Sequence, residues 1–187
     1  MKNMNWPNRL SILRILLVPV CVILLTIGGT GCRLAALAVF SIAAFTDFLD
    51  GWMARKYKLV TNFGKFIDPV ADKLLVLSTL ISLCGCDLIP AWVCVVILFR
   101  ELAVDGLRLV AVEQGKVIAA GKLGKIKTVT QIVAIILFLL FGRAFGAPDF
   151  ILGTLAIIAA VVMTLWSGVD YFVRNISVLS LKEDKAE

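Results

Sequence analysis

The sequence predicts an all-α integral membrane protein of six transmembrane helices. Three observations carry this expectation. Hydrophobic residues make up 60% of the 187-residue chain and charged residues only 17%, where an ordinary soluble domain has about 45–50% and about 25%. The apolar residues fall into six runs, each close to the roughly 20 residues that a membrane helix needs. Lysine and arginine gather in alternate connections between those runs, as they do on the inner face of a membrane.

The first run covers about residues 10–27 and stops at Gly28-Gly29-Thr30-Gly31, a breaker. Its weak basic start and the lack of an Ala-x-Ala site argue against a cleaved signal peptide. The second, about residues 34–55, stays apolar to Phe45 and then continues into Asp47-Phe48-Leu49-Asp50-Gly51-Trp52-Met53-Ala54-Arg55. A basic, polar stretch follows to Lys65. The third run, about residues 68–86, ends before Asp87 and Pro90, and the fourth occupies about residues 91–112. Glu113 to Gly124 is a polar connection. The fifth run, about residues 125–141, is closed by Gly142, Gly146 and Pro148, and the sixth covers about residues 150–172 before a charged tail. No repeat or low-complexity segment interrupts the chain, so residues 1–187 read as one domain.

An even number of spans puts both termini on one side, with the 55–65 and 113–124 connections. Of the 19 Lys and Arg, only Arg33 and Arg143 fall on the other side. The positive-inside rule makes the richer side cytoplasmic, which predicts a multi-pass protein of the cytoplasmic membrane. The net charge of +6 then serves anionic lipid heads or phosphorylated substrates, with no nucleic acid as partner. Trp6, Trp52, Trp92, Trp166, Tyr57 and Tyr171 mostly fall near the proposed interfaces, as an aromatic belt does. Cys21, Cys32, Cys84, Cys86 and Cys94 read as small hydrophobes. The absence of histidine excludes a Ser-His-Asp triad, a Cys-His pair and a His-ligated zinc. Acid–base or metal chemistry must come from the carboxylates.

Four of those carboxylates stand where acids are costly. Asp47 and Asp50 close the second span, and Asp68 and Asp72 open the third. Acids in a membrane helix usually face inward and usually have a function. Spacings of three and four put each pair on one helical face. Two neighbouring helices can therefore aim four carboxylates at one spot, where like charges need cations or protons. Oxygen-only ligands suit Mg2+, Mn2+ or Ca2+. Gly51, Ala54 and Gly64 leave room beside them for a helix or a bulky substrate. The plainer alternative pairs these acids with Arg55, Lys65 and Lys73 and makes Asp68 an N-cap before Pro69. Four acids in two facing pairs favour the metal. The fourth span adds Arg100 near the membrane midplane. Glu101, Asp105 and Arg108 share one face, either lining the cavity or pairing internally.

The stretch Asp47-x2-Asp50-Gly51-x2-Ala54-Arg55-x8-Gly64-x3-Asp68-x3-Asp72 resembles, without departure, the signature of the CDP-alcohol phosphatidyltransferases. Pro7-Asn8-x-Leu10-Ser11-x2-Arg14, Arg100-Glu101, Gly106-Leu107-Arg108 and Gly124-Lys125-Ile126-Lys127-Thr128-x2-Gln131 resemble flanking segments of the family's bacterial phosphatidylglycerophosphate synthases.

The resemblance implies a six-helix enzyme with a polar active-site cavity open to the cytoplasmic side, expected as a homodimer, with two divalent cations, Mg2+ or Mn2+. It implies transfer of the phosphatidyl group of CDP-diacylglycerol to glycerol 3-phosphate, with release of CMP. Asp47, Asp50, Asp68 and Asp72 would hold the metals, and Asp72 would also be the catalytic base. Asn8, Ser11, Gly51, Arg55, Thr61 and Gly64 would contact the CDP-lipid. Arg108, Lys125 and Lys127 would hold the acceptor phosphate. Sibling activities toward inositol phosphate, serine or phosphatidylglycerol share the signature. A cation transporter is the competing class, but it would more naturally carry its acids near the midplane in repeated halves.

Overall fold

A computed structural model describes residues 6–57, 62–116, 118 and 121–178. Each apolar run folds as one long helix: α1 (Trp6–Ile27), α2 (Gly29–Tyr57), α3 (Asn62–Gly85), α4 (Ala91–Glu113), α5 (Lys122–Phe141) and α6 (Ile151–Arg174). A 3-10 turn at Ile176–Val178 follows. No strand occurs among the described residues.

The helices α1, α2, α3 and α5 start earlier than their apolar runs because polar first turns are still helical. The expected Gly28–Gly31 break shrinks to a single residue. Gly28 and Gly29 take left-handed φ values of 78° and 81°, so the chain reverses there at little steric cost. Pro69 lies seven residues inside α3 rather than at its start, so Asp68 is not an N-cap. Pro69 and Pro19 of α1 each remove one helical N–H and free a carbonyl one turn back.

Four helices are long and apolar enough to cross a membrane, over Asn8–Ile27, Gly29–Asp47, Lys122–Phe141 and Ile151–Arg174. The other two, α3 and α4, have 24 and 23 residues. Charged groups interrupt them: Asp68, Asp72 and Lys73 in α3, and Arg100, Glu101, Asp105 and Arg108 in α4. Their charged residues are why composition alone does not identify α3 and α4 as spans.

Every helix buries one stripe, and each stripe changes character along its length. In α1 the buried residues are Asn8, Ser11 and Arg14, then Val18, Cys21 and Leu25, a spacing of three and four. In α2 they are Ala36, Phe40 and Ala43, and Asp47 follows one turn later. In α4, Glu101 continues the stripe of Val93 and Ile97; in α5, Lys127 and Gln131 precede Ala134, Ile135 and Phe138. Successive helices run in opposite directions, so all the polar halves meet at one end of the bundle. The opposite faces carry exposed Leu13, Leu16, Ile23, Phe99, Leu155 and Trp166, a surface suited to lipid. The apolar halves form one continuous core from Val18 through Phe40, Leu80, Ile97 and Phe138 to Ile157.

The far, apolar end carries a side-chain cap on a helix terminus as well as the exposed Arg143–Asp149 ion pair. Arg33 Nε donates to the Leu139 carbonyl of α5 at 3.0 Å, a cationic cap on a helix C-terminus. Gly142 then ends α5 with φ 61°, and a Cβ there would fall 1.6 Å from Arg33 Nη1. Gly142→Ala should therefore lose about 1–2 kcal/mol from the left-handed backbone alone, and more as Arg33 is pushed off its carbonyl. Thermal unfolding in detergent should show a lower Tm than wild type. An Arg33→Ala background should recover only the steric part of the loss.

Candidate active site

The polar end is organised by α1. Arg14 is completely buried, and its guanidinium reaches two helices. Nη1 donates to Asp72 Oδ1 of α3 at 2.8 Å and lies 3.0 Å from Asp47 Oδ1 of α2. Nε donates to the Ala43 carbonyl at 3.3 Å. One turn earlier, Ser11 donates to Asp68 Oδ1 at 2.5 Å. Three expected site carboxylates thus converge on one stripe of α1. Since a single nitrogen touches both, the Asp47 and Asp72 oxygens lie within two hydrogen-bond lengths of each other. Both side chains remain 41% and 43% exposed, so the carboxylates open toward solvent on one side while α1 seals the other.

A second polar layer lies against the first. Lys73, next to Asp72 in sequence, pairs with Asp105 of α4. Glu101, one turn from Asp105, pairs with the buried Lys127 of α5 and with Arg100 Nη1 at 3.2 Å. Arg100 Nη2 donates to Ser167 of α6 at 3.1 Å. Gln131 donates to Thr164 of α6 at 2.9 Å. Arg108 Nε donates to the Tyr171 hydroxyl at 3.0 Å, and its guanidinium lies 5.4 Å from that ring's centre. The choice left open for the Glu101 face is thereby decided: Glu101 and Asp105 pair internally, each with a different helix.

The expected site residues fall into groups. Asn8, Ser11 and Gly64 are buried, and Ser11 donates to Asp68. Asp50, Gly51 and Arg55 are described only as positions of α2, and Thr61 lies outside the described residues. Lys125 is exposed on the first turn of α5, Arg108 is half-buried, and Lys127 is buried against Glu101. Arg108 and Lys127 have different neighbours, Tyr171 and Glu101. Two cavities of about 240 Å³ lie away from the carboxylates, one around Gly28, Arg33 and Cys86 and one between α3 and α4 around Leu80 and Cys94.

The donor set fits a hard divalent ion. It is all oxygen, half-exposed and drawn from two adjacent helices. Among the described residues no three His, Cys, Asp or Glu side chains stand together as a ready cage. The fourth expected ligand, Asp50, is not among the described side chains, and Arg14 bridges two of the other three.

The sequence matches the family model of the CDP-alcohol phosphatidyltransferases over residues 4–166. The chain belongs to this family. It is 46% identical over 183 residues to the CDP-diacylglycerol–glycerol-3-phosphate 3-phosphatidyltransferase of Bacillus subtilis, covering 91% of this chain and 95% of the relative. It is 43% identical over 173 residues to a probable phosphatidylglycerophosphate synthase of Mycobacterium tuberculosis, covering 91% and 81%. A CDP-diacylglycerol–glycerol-3-phosphate 3-phosphatidyltransferase of Rickettsia typhi is 38% identical over 169 residues, covering 90% and 95%.

In this member of the CDP-alcohol phosphatidyltransferases, sequence reasoning quoted Arg14 without a role. The available signal was an arginine on the same face as Asn8 and Ser11 in an otherwise apolar span. Glu101 is the other hub, since it accepts from two buried cations. Glu101→Gln leaves Arg100 and Lys127 beside a neutral amide, and breaking a buried pair costs about 3–5 kcal/mol. A large drop in Tm is expected for Glu101→Gln. Adding Lys127→Met should recover part of it by removing one uncompensated charge.

Proposed function

We propose that this chain transfers the phosphatidyl group of CDP-diacylglycerol to sn-glycerol 3-phosphate, giving phosphatidylglycerophosphate and CMP in anionic phospholipid synthesis. The observation that carries the reading is the convergence of Asp47, Asp68 and Asp72 at the polar, open end of a bundle whose outer faces are apolar. One substrate has two acyl chains and the other is water-soluble, so the reacting atoms must meet at a membrane surface. Carboxylates at helix ends, backed by a sealed core, meet that requirement. The names of the relatives support the choice of acceptor.

In this reading six helices cross the cytoplasmic membrane, with the polar end and both termini in the cytoplasm. Paired charges in α3 and α4 make that crossing tolerable, because Asp68, Asp72, Lys73, Arg100, Glu101, Asp105 and Arg108 each have a polar partner inside the bundle. Asp47, Asp50, Asp68 and Asp72 would hold two Mg2+ or Mn2+ ions, which supply charge neutralisation at the pyrophosphate and at the attacking and leaving oxygens. Asp72, half-exposed, takes the proton of the acceptor hydroxyl. Ser11 fixes the orientation of Asp68. Gly51, Arg55, Thr61 and Gly64 border the CDP-lipid, with Asn8 and Ser11 behind. Lys125 and Arg108 meet the acceptor's phosphate, where a fork and a point charge both stabilise a dianion. Lys127, expected with them at the phosphate, is buried in its pair with Glu101. The enzyme would work as a homodimer.

Purified protein with labelled CDP-diacylglycerol and a panel of glycerol 3-phosphate, inositol phosphate, serine and phosphatidylglycerol tests the chemistry. Glycerol 3-phosphate should be the preferred acceptor, EDTA should abolish turnover, and Asp72→Asn should lower kcat by about 10²–10⁴-fold. Preference for another acceptor would move the chain to a sibling activity.

Topology is tested separately in a background with the native cysteines replaced. Lys56→Cys and Lys116→Cys should react with a membrane-impermeant thiol reagent only from the cytoplasmic side. Gly31→Cys and Ala144→Cys should react only from outside. Opposite sidedness of positions 56 and 116 would overturn the six-span arrangement.

A further inference from the structure

We propose that Arg14 is a built-in counter-cation for the carboxylate site, neutralising Asp47 and Asp72 while divalent ions are away and competing with those ions for the same oxygens. The inference rests on the metal-binding reading of the carboxylates and says how the metal-free site is kept intact.

Three observations carry it. Arg14 is fully buried in the membrane-crossing part of α1, where an uncompensated charge is very unfavourable. Its Nη1 makes close contacts with Oδ1 of both Asp47 and Asp72, which come from different helices. These are two of the four acids whose mutual repulsion demands a cation. The guanidinium also donates to the Ala43 carbonyl, one turn before Asp47 on α2, so its plane is anchored independently of the carboxylates. A fixed positive group is thus aimed at two ligand oxygens at once.

Two consequences follow. Without divalent ions, Arg14 keeps α1, α2 and α3 together by holding like charges in place. With divalent ions, the same positive charge lies next to them and lowers their affinity. A purely structural strut behaves differently: its loss would weaken the metal-free and metal-loaded protein equally. Linkage separates the cases, because a ligand that binds only the native state stabilises it according to its affinity.

The test measures Tm in detergent and Mn2+ binding by calorimetry and electron paramagnetic resonance, for wild type, Arg14→Gln and Arg14→Lys. Arg14→Gln should lower the Tm in EDTA clearly more than the Tm in saturating Mn2+. Its Mn2+ Kd should fall by about tenfold, the size of one charge-assisted contact. Arg14→Lys keeps the charge and loses the fork, so its metal-free Tm should lie between the other two and its Kd near that of wild type. If Arg14→Gln does not fold without metal but folds when Mn2+ is present throughout purification, that rescue supports the proposal. Equal losses in EDTA and Mn2+, an unchanged or weaker Mn2+ Kd, or no folding in either condition while Arg14→Lys matches wild type in both overturns it. A wild type that binds no Mn2+ overturns the metal reading and this inference together. A wild type that binds Mn2+ as tightly as Arg14→Gln overturns this inference alone.

Discussion

The constraint on which the rest of this structure depends is the compensation of charge inside an apolar bundle. A helix that crosses a membrane can carry a carboxylate or a guanidinium only if another helix answers it. Here the answers form a chain across the whole bundle. Arg14 of α1 meets Asp47 of α2 and Asp72 of α3, Lys73 of α3 meets Asp105 of α4, and Glu101 of α4 meets Lys127 of α5. Arg100 then ties α4 to Ser167 of α6. Every helix enters the chain through its polar half, and the direction reversal between successive helices brings those halves to one end.

That arrangement divides the labour along the bundle axis. The apolar end is packed through Phe40, Leu80, Phe138 and Ile157, and is closed by Arg33 on the α5 C-terminus. It supplies rigidity. The polar end holds acids close together and leaves Asp47 and Asp72 partly open. Like charges held close together are a site where an added cation is favourable. The second layer, around Glu101, lies behind the carboxylates and fixes the helices that would present Arg108 and Lys125 to an acceptor. Loss of one partner in that layer leaves a charge buried, so the layer has structural as well as chemical consequences.

Much of this was legible in the sequence. The six helices follow from apolar runs and glycine or proline breaks. The shared face of Asp68 and Asp72, which meet Ser11 and Arg14 of one helix, follows from a spacing of four. What spacing cannot give is the partner on another helix. Lys73 was a natural mate for the neighbouring aspartates, yet it turns to Asp105. Glu101, Asp105 and Arg108 share a helical face, which left open whether they line the cavity or pair internally. Each reaches a different helix: α5, α3 and α6 respectively. Same-face contacts along one helix contribute only tenths of a kcal/mol, whereas an unanswered buried charge costs several, so the inter-helix partner wins. Arg14 was hidden for the same reason, because its partners lie 33 and 58 positions away.

The central claim is that four aspartates from α2 and α3 form one metal site at the polar end. Crystals grown with Mn2+ and measured at the manganese absorption edge test it most directly, because the anomalous signal locates the ions without reference to activity. The account predicts two peaks about 3.5–4 Å apart, each within bonding distance of carboxylate oxygens of Asp47, Asp50, Asp68 or Asp72. Peaks elsewhere in the bundle, or none at saturating Mn2+ with those carboxylates still engaged by Arg14 and Ser11, would contradict it.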